Sequence, residues 1–83
     1  MKRFLLARCG NASCNGFELV ADILENYKYP IKINDIYKQL GEKYNISYKS
    51  IERRIRYYKT ICGYSDIKNH EFISMLMIES SDK

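Results

Sequence analysis

The strongest constraint on what this chain can fold into lies between residues 34 and 62. Two segments there carry apolar side chains at helical spacing, and only about three residues separate them. In the first, Ile36, Leu40 and Tyr44 recur at i, i+4 and i+8, which puts them on one face of a helix. Asn34 is placed to cap that helix, Asp35 suits its first turn, and Asn45 suits its end. Ser47 is placed to cap the second. So short a link makes the two helices fold back on each other as a tight pair. The expectation is a helix-turn-helix with helices at about 35–44 and 48–62. Gly41 follows core residue Leu40, and its small size lets the second helix cross closely, against an intrinsic helix cost of roughly 1 kcal/mol.

The second helix has two chemically different faces. At about 100° per residue, Ile51, Ile55, Tyr58 and Cys62 fall in one narrow arc. Lys49, Arg53, Arg56, Tyr57 and Thr60 fall on the opposite side. Glu52 and Lys59 lie on one flank, and Ser50, Arg54 and Ile61 on the other. From Lys43 to Lys59 there are six cations against Glu52 alone, so this window carries +5 of a chain whose net charge is +4. Basicity confined to one segment is the footprint of a polyanion-binding surface. A solvated helix face would show the same run of charge.

The rest of the chain reads as helix too. Phe4, Leu5 and Leu6 suggest a short helix closing near Cys9, Gly10 and Asn11, the last two suited to a left-handed stop. Asn15 stands three residues before Glu18, a capping-box spacing. Phe17, Val20, Ile23, Leu24 and Tyr27 then recur at helical spacing up to a stop before Pro30. Residues 29–33 alternate and read as a short extended piece. Residues 63–69 form a polar connection. Asn69 or His70 opens a last helix, where Phe72, Ile73, Met75, Leu76, Met77 and Ile78 are apolar nearly all round; such a helix is deeply buried or shared with a partner. The expected architecture is all-α, a compact bundle of about five helices forming one domain over residues 1–83.

Several functional classes are disfavoured. The apolar run Phe4 to Ala7 is too short for a secretory signal, and no span is long enough for a membrane. Three cysteines cannot all pair within one chain, which fits reduced thiols and a cytoplasmic location. Cys9, Cys14, Cys62 and His70 are the candidate zinc ligands, but their spacing is loose and Cys62 reads as core; no metal and no cofactor is expected. No nucleophile, base and orienting group stand at a suggestive spacing, and no Gly-rich phosphate loop exists. The chain does not read as an enzyme.

Groove geometry supplies a use for the basic helix. An α-helix fits the major groove of B-DNA with its N-terminal side chains at base edges. Arg53 can donate in parallel to guanine O6 and N7, and Glu52 can accept from cytosine N4. A lone glutamate among cations weakens attraction to phosphate, so it makes sense where bases are read. Glu52, Arg53 and Lys49 form the base-reading set, Lys49 with phosphate contact as its other role. Ser47, Arg56, Tyr57 and Lys59 form the phosphate set, which fixes position rather than sequence. Ser47 would act there together with the backbone amides of the helix N-terminus.

The run IYKQLGEKYNISYKSIERRIRYYKTIC resembles the C-terminal DNA-binding effector domain of the stage zero sporulation protein A family. Ile51-Glu52-Arg53-Arg54-Ile55-Arg56-Tyr57 stands where that family has a V-E-R-A-I-R-H-like recognition helix. Asn69-His70-Glu71-Phe72-Ile73-Ser74-Met75 is similar to its N-S-E-F-I-A-M segment, and Gly16-Phe17 to a Gly-Tyr opening an upstream helix. The resemblance touches most of residues 4–79 and is strongest from Ile36 to Ile61. It implies an all-α effector domain on a short promoter box, with Glu52 and Arg53 facing bases, Arg56 beside the backbone, and RNA polymerase sigma factor as a further partner. Ser50, Arg54 and Tyr57 depart from the family's arginine, alanine and histidine, the connection before the last helix is much shorter, and no receiver domain accompanies it. The competing reading is a protein-binding or dimerisation module: helix 70–78 docks a partner or second copy, and the basic helix meets an acidic protein. On DNA, the same apolar helix would serve a homodimer or tandem binding.

Overall fold

The computed structural model describes residues 2–10 and 15–81. Five helices follow one another: α1 Lys2–Arg8, α2 Asn15–Asn26, α3 Ile33–Tyr44, α4 Tyr48–Ile61 and α5 Asn69–Ser81. Among the described residues there is no strand. Residues 27–32 connect α2 to α3 without regular structure, and Ile33, read in sequence as the end of an extended piece, already belongs to α3.

Every helix contributes to a single apolar cluster. Leu5 enters from α1; Phe17, Val20 and Ile23 from α2; Ile36, Tyr37 and Leu40 from α3; Ile51, Ile55 and Tyr58 from α4; and Phe72, Ile73, Leu76 and Met77 from α5. Tyr58 sits at its centre, edge-on to Phe17 at 6.1 Å and to Phe72 at 6.3 Å between ring centroids. Such edge-to-face pairs are favoured because the positive rim of one ring meets the negative face of the other. The centre of the bundle is thus built where α2, α4 and α5 converge.

The helix ends show which local signals operate. Gly10 takes a left-handed φ of 74° after α1, as expected; Asn11 lies outside the described residues. Asn45 also turns left-handed, at φ 55°, and its N–H bonds back to the Gly41 carbonyl. Ser47 is the N-cap of α4, its Oγ accepting from the Ser50 N–H at 3.2 Å.

Other expected caps are corrected. The N-cap of α3 is Lys32, with no side-chain bond, while Asn34 has moved inside the helix and its Oδ1 accepts from the Tyr48 hydroxyl at 2.6 Å. Glu18 pairs across to Lys2 at 3.0 Å. Tyr44 was expected on the buried stripe, but Tyr37 takes that place at 4% exposure. Tyr44 is exposed and donates its hydroxyl to Asp22. In α5, Ile78 is 48% exposed, so the helix is not buried all round.

Candidate nucleic-acid interface

The apolar stripe of α4 is fully buried: Ile51, Ile55 and Tyr58 are each at 0% exposure. Periodicity then leaves the opposite side of the helix to solvent. Lys49, Arg53, Arg56 and Tyr57 are all exposed, Tyr57 at 62%. Among the described residues, Lys49 and Arg53 make no ion pair or hydrogen bond. Tyr48, Lys49, Glu52, Arg53 and Arg56 line one shallow depression of about 360 Å³. Their spacing of i, i+1, i+4, i+5 and i+8 is that of one helix face, here starting from the N-terminal end of α4.

Glu52 and Arg56 face each other across one turn at 3.7 Å. An exposed pair of this kind contributes little to stability. It neutralises charge locally and leaves Lys49 and Arg53 as the strong positive points of the depression. Ser47, expected beside phosphate, has its Oγ engaged in the α4 cap and in a bond to the Ser50 hydroxyl at 3.0 Å.

Lys59 is a correction. It was expected to reach phosphate, but the side chain is buried, with its residue at 5% exposure. Its Nζ donates to the backbone carbonyl of Ile67. The connection after α4 folds back over that flank, with the Tyr64 N–H also bonding to the Lys59 carbonyl at 3.0 Å. A helical wheel shows the flank but not the loop that covers it.

Several residues of this region escaped the sequence reading. Tyr48 is 44% exposed and stands edge-on to Tyr37 at 5.3 Å. Its place one turn before Glu52 was the signal available. Asn69, at the start of α5, donates from Nδ2 to the Tyr37 hydroxyl at 2.9 Å and to the Glu52 carbonyl at 3.2 Å, tying α5 to both α3 and α4. The exposed cation Lys68 lines a cleft of about 500 Å³ together with Arg56, Tyr48 and His70. Glu52, Asp66 and buried Lys59 line the same cleft. Nothing in the sequence pattern marks Lys68.

Of the residues weighed as zinc ligands, Cys14 lies outside the described residues and His70 is exposed at the start of α5. Cys9 and Cys62 are half-buried beside Tyr58. Burial pushes the Tyr58 phenol upward from its ordinary value, and the Cys62 and Cys9 thiols add to the shift. No three His, Cys, Asp or Glu side chains among the described residues gather around a point where an ion would sit. No helix among them is long and apolar enough to cross a membrane.

A second surface lies between the C-terminal ends of α2 and α5. Leu24, Tyr27, Tyr29, Met77 and Ile78 contribute to a cleft of about 530 Å³, with Tyr29 57% exposed beside it. No family model matches the chain, and neither does any curated protein or solved structure.

Proposed function

We propose that this protein is a sequence-specific double-stranded DNA-binding regulator of transcription. In this reading α3 and α4 form a helix-turn-helix and α4 enters the major groove. The observation that carries it is the composition of one exposed helix face: Lys49 and Arg53, without an ion pair among the described residues, beside Glu52 and Arg56 on a helix anchored by buried Ile51, Ile55 and Tyr58. A pure polyanion clamp has no use for Glu52, whereas base reading does. Arg53, Glu52 and Lys49 serve as base readers. Arg56, Tyr57 and the N-terminal end of α4 at Ser47 serve the phosphates, joined by Lys68 in place of Lys59. The resemblance to the sporulation effector domain supports the same assignment and adds sigma factor as a partner.

Selection of bound duplexes from a random pool at two salt concentrations tests the proposal. A recurrent short box that survives the higher salt supports it. Binding that is equal for all sequences and vanishes with salt is what a generic polycation would give.

The cleft between α2 and α5 favours a second reading, a protein-binding or self-association surface on α5. A single module buries only about 600–1,000 Å² on DNA, so two copies on tandem boxes would sharpen specificity. Sedimentation on a double site distinguishes the cases: two chains per duplex, lost in Ile78→Asp, assigns the cleft to self-association.

A further inference from the structure

We propose that Tyr48 reads the methyl group of a thymine, which makes it a specificity-determining residue of the interface. The inference rests on the DNA-binding reading above. Tyr48 is the first residue of α4, the end that leads into the groove in a helix-turn-helix. Its ring is held from two directions: Tyr37 packs edge-on at 5.3 Å and 89°, and the hydroxyl donates to Asn34 Oδ1 at 2.6 Å. Both partners belong to α3, so the ring is positioned by the fold before any ligand arrives.

The hydroxyl proton is committed to Asn34, which leaves the ring as the apolar group Tyr48 has to offer. The residue is nevertheless 44% exposed. It lines the same depression as Lys49, Glu52, Arg53 and Arg56, and it is the one uncharged member of that set. In the major groove the thymine C5-methyl is the apolar feature that a base pair presents; the remaining base-edge groups are hydrogen-bond donors and acceptors. A charged stripe led by a fixed apolar ring therefore matches a box in which thymine adjoins the bases read by Glu52 and Arg53. A ring that only stapled α3 to α4 would hold the same two contacts with α3, so the methyl itself has to be tested.

The experiment uses the full chain and its selected duplex, with each thymine replaced in turn by deoxyuridine. That change removes one methyl and leaves the base-pairing edge intact. One position should weaken wild-type binding about fourfold, the value of one buried methyl-sized group. Tyr48→Phe should keep that discrimination, and Tyr48→Ala should bind both duplexes equally. Each protein is compared with itself on two duplexes, so a loss of stability in Tyr48→Ala cancels. A selectively bound duplex with no thymine methyl coupled to Tyr48 overturns this inference and leaves DNA recognition standing. Failure to select any duplex overturns both.

Discussion

Gly16 lies against the backbone of Arg54: a Cβ placed on Gly16 would stand 2.4 Å from the Arg54 carbonyl oxygen and 2.6 Å from the Tyr58 Cβ. Neither is the free end of a flexible side chain, so a methyl there moves α2 away from α4. The two helices meet at this point on the reverse side of the exposed α4 face. Gly16→Ala should cost about 1–3 kcal/mol or more through overpacking, even though alanine is the better helix former. Urea unfolding measures it. An unchanged midpoint would show that the crossing is loose. Gly41 faces a similar limit at 2.8 Å from the Ile46 carbonyl; it accommodates the turn into α4, where the sequence suggested a crossing of the helix bodies.

On the proposed DNA-binding reading, Lys59 separates stability from affinity. Its ammonium is committed to the Ile67 carbonyl inside the protein. Lys59→Met keeps much of the stem but leaves that carbonyl unpaired, for an expected loss of about 1–3 kcal/mol in stability. The dependence of DNA affinity on salt should stay as it was. Lys68→Ala, at an exposed cation of the phosphate set, should do the opposite, with a normal unfolding midpoint and a salt slope reduced by about 1. Titrations at several salt concentrations on both variants check the pair. A flattened slope for Lys59→Met would return this residue to the phosphate set.

What the sequence made legible follows from the range of each signal. Ile51, Ile55 and Tyr58 are fixed by helical period, a local property, and all three are buried as expected. Ser47 and Asn45 act within one turn, and both took the predicted end conformations. The failures are contacts between distant segments. Lys59 is covered by residues 64–67, Asn34 is engaged by Tyr48, and Glu18 is drawn to Lys2. Tyr37 and Tyr44 are both compatible with the α3 period, and the choice between them depends on Asp22 being in reach of the Tyr44 hydroxyl. The exposed face of α4 was legible because burial of its other side dictates it. Tyr48 carried only its place one turn before Glu52, since its ring is set by α3, and Lys68 carried no signal because the connection before α5 decides where it sits.

Asp22 gives stability a defined acid limb. Burial alone would raise its carboxyl, but hydrogen bonds from Lys43, Tyr44 and Asn26 outweigh burial and hold it below the usual carboxylate range. A depressed pKa means the contribution is complete above the unfolded-state value near 4 and is lost as pH falls through the lower folded value. Asp22→Asn should therefore destabilise by about 1–2 kcal/mol at neutral pH, the lower end reflecting the exposed Lys43 side of the pair. The variant should lose little more below about pH 4. On the alkaline side the Tyr44 phenol, held by Asp22, is pushed up to about 12. Its raised value means that its contribution is present below about pH 10 and fades as the phenol ionises toward 12. Urea midpoints from pH 3 to 11 for wild type and Asp22→Asn check both limbs. Parallel curves across the acid range would rule out this cluster as their source.

Glu52 and Arg53 decide between reading bases and holding phosphate. Both are tolerated on the surface, so removing them should leave stability nearly unchanged. Arg53→Ala should cost about 1–3 kcal/mol on the selected duplex and relax preference at one base pair. Glu52→Ala makes the sharper test, because it removes a negative charge facing a polyanion and frees Arg56 from its 3.7 Å partner. Coulomb attraction alone then predicts tighter binding to every sequence. If Glu52 accepts from a cytosine amino group, affinity for the selected duplex instead falls while affinity for random DNA rises. Measuring both affinities at one salt concentration distinguishes the two: a uniform gain assigns Glu52 to the surface, and opposite signs assign it to sequence recognition.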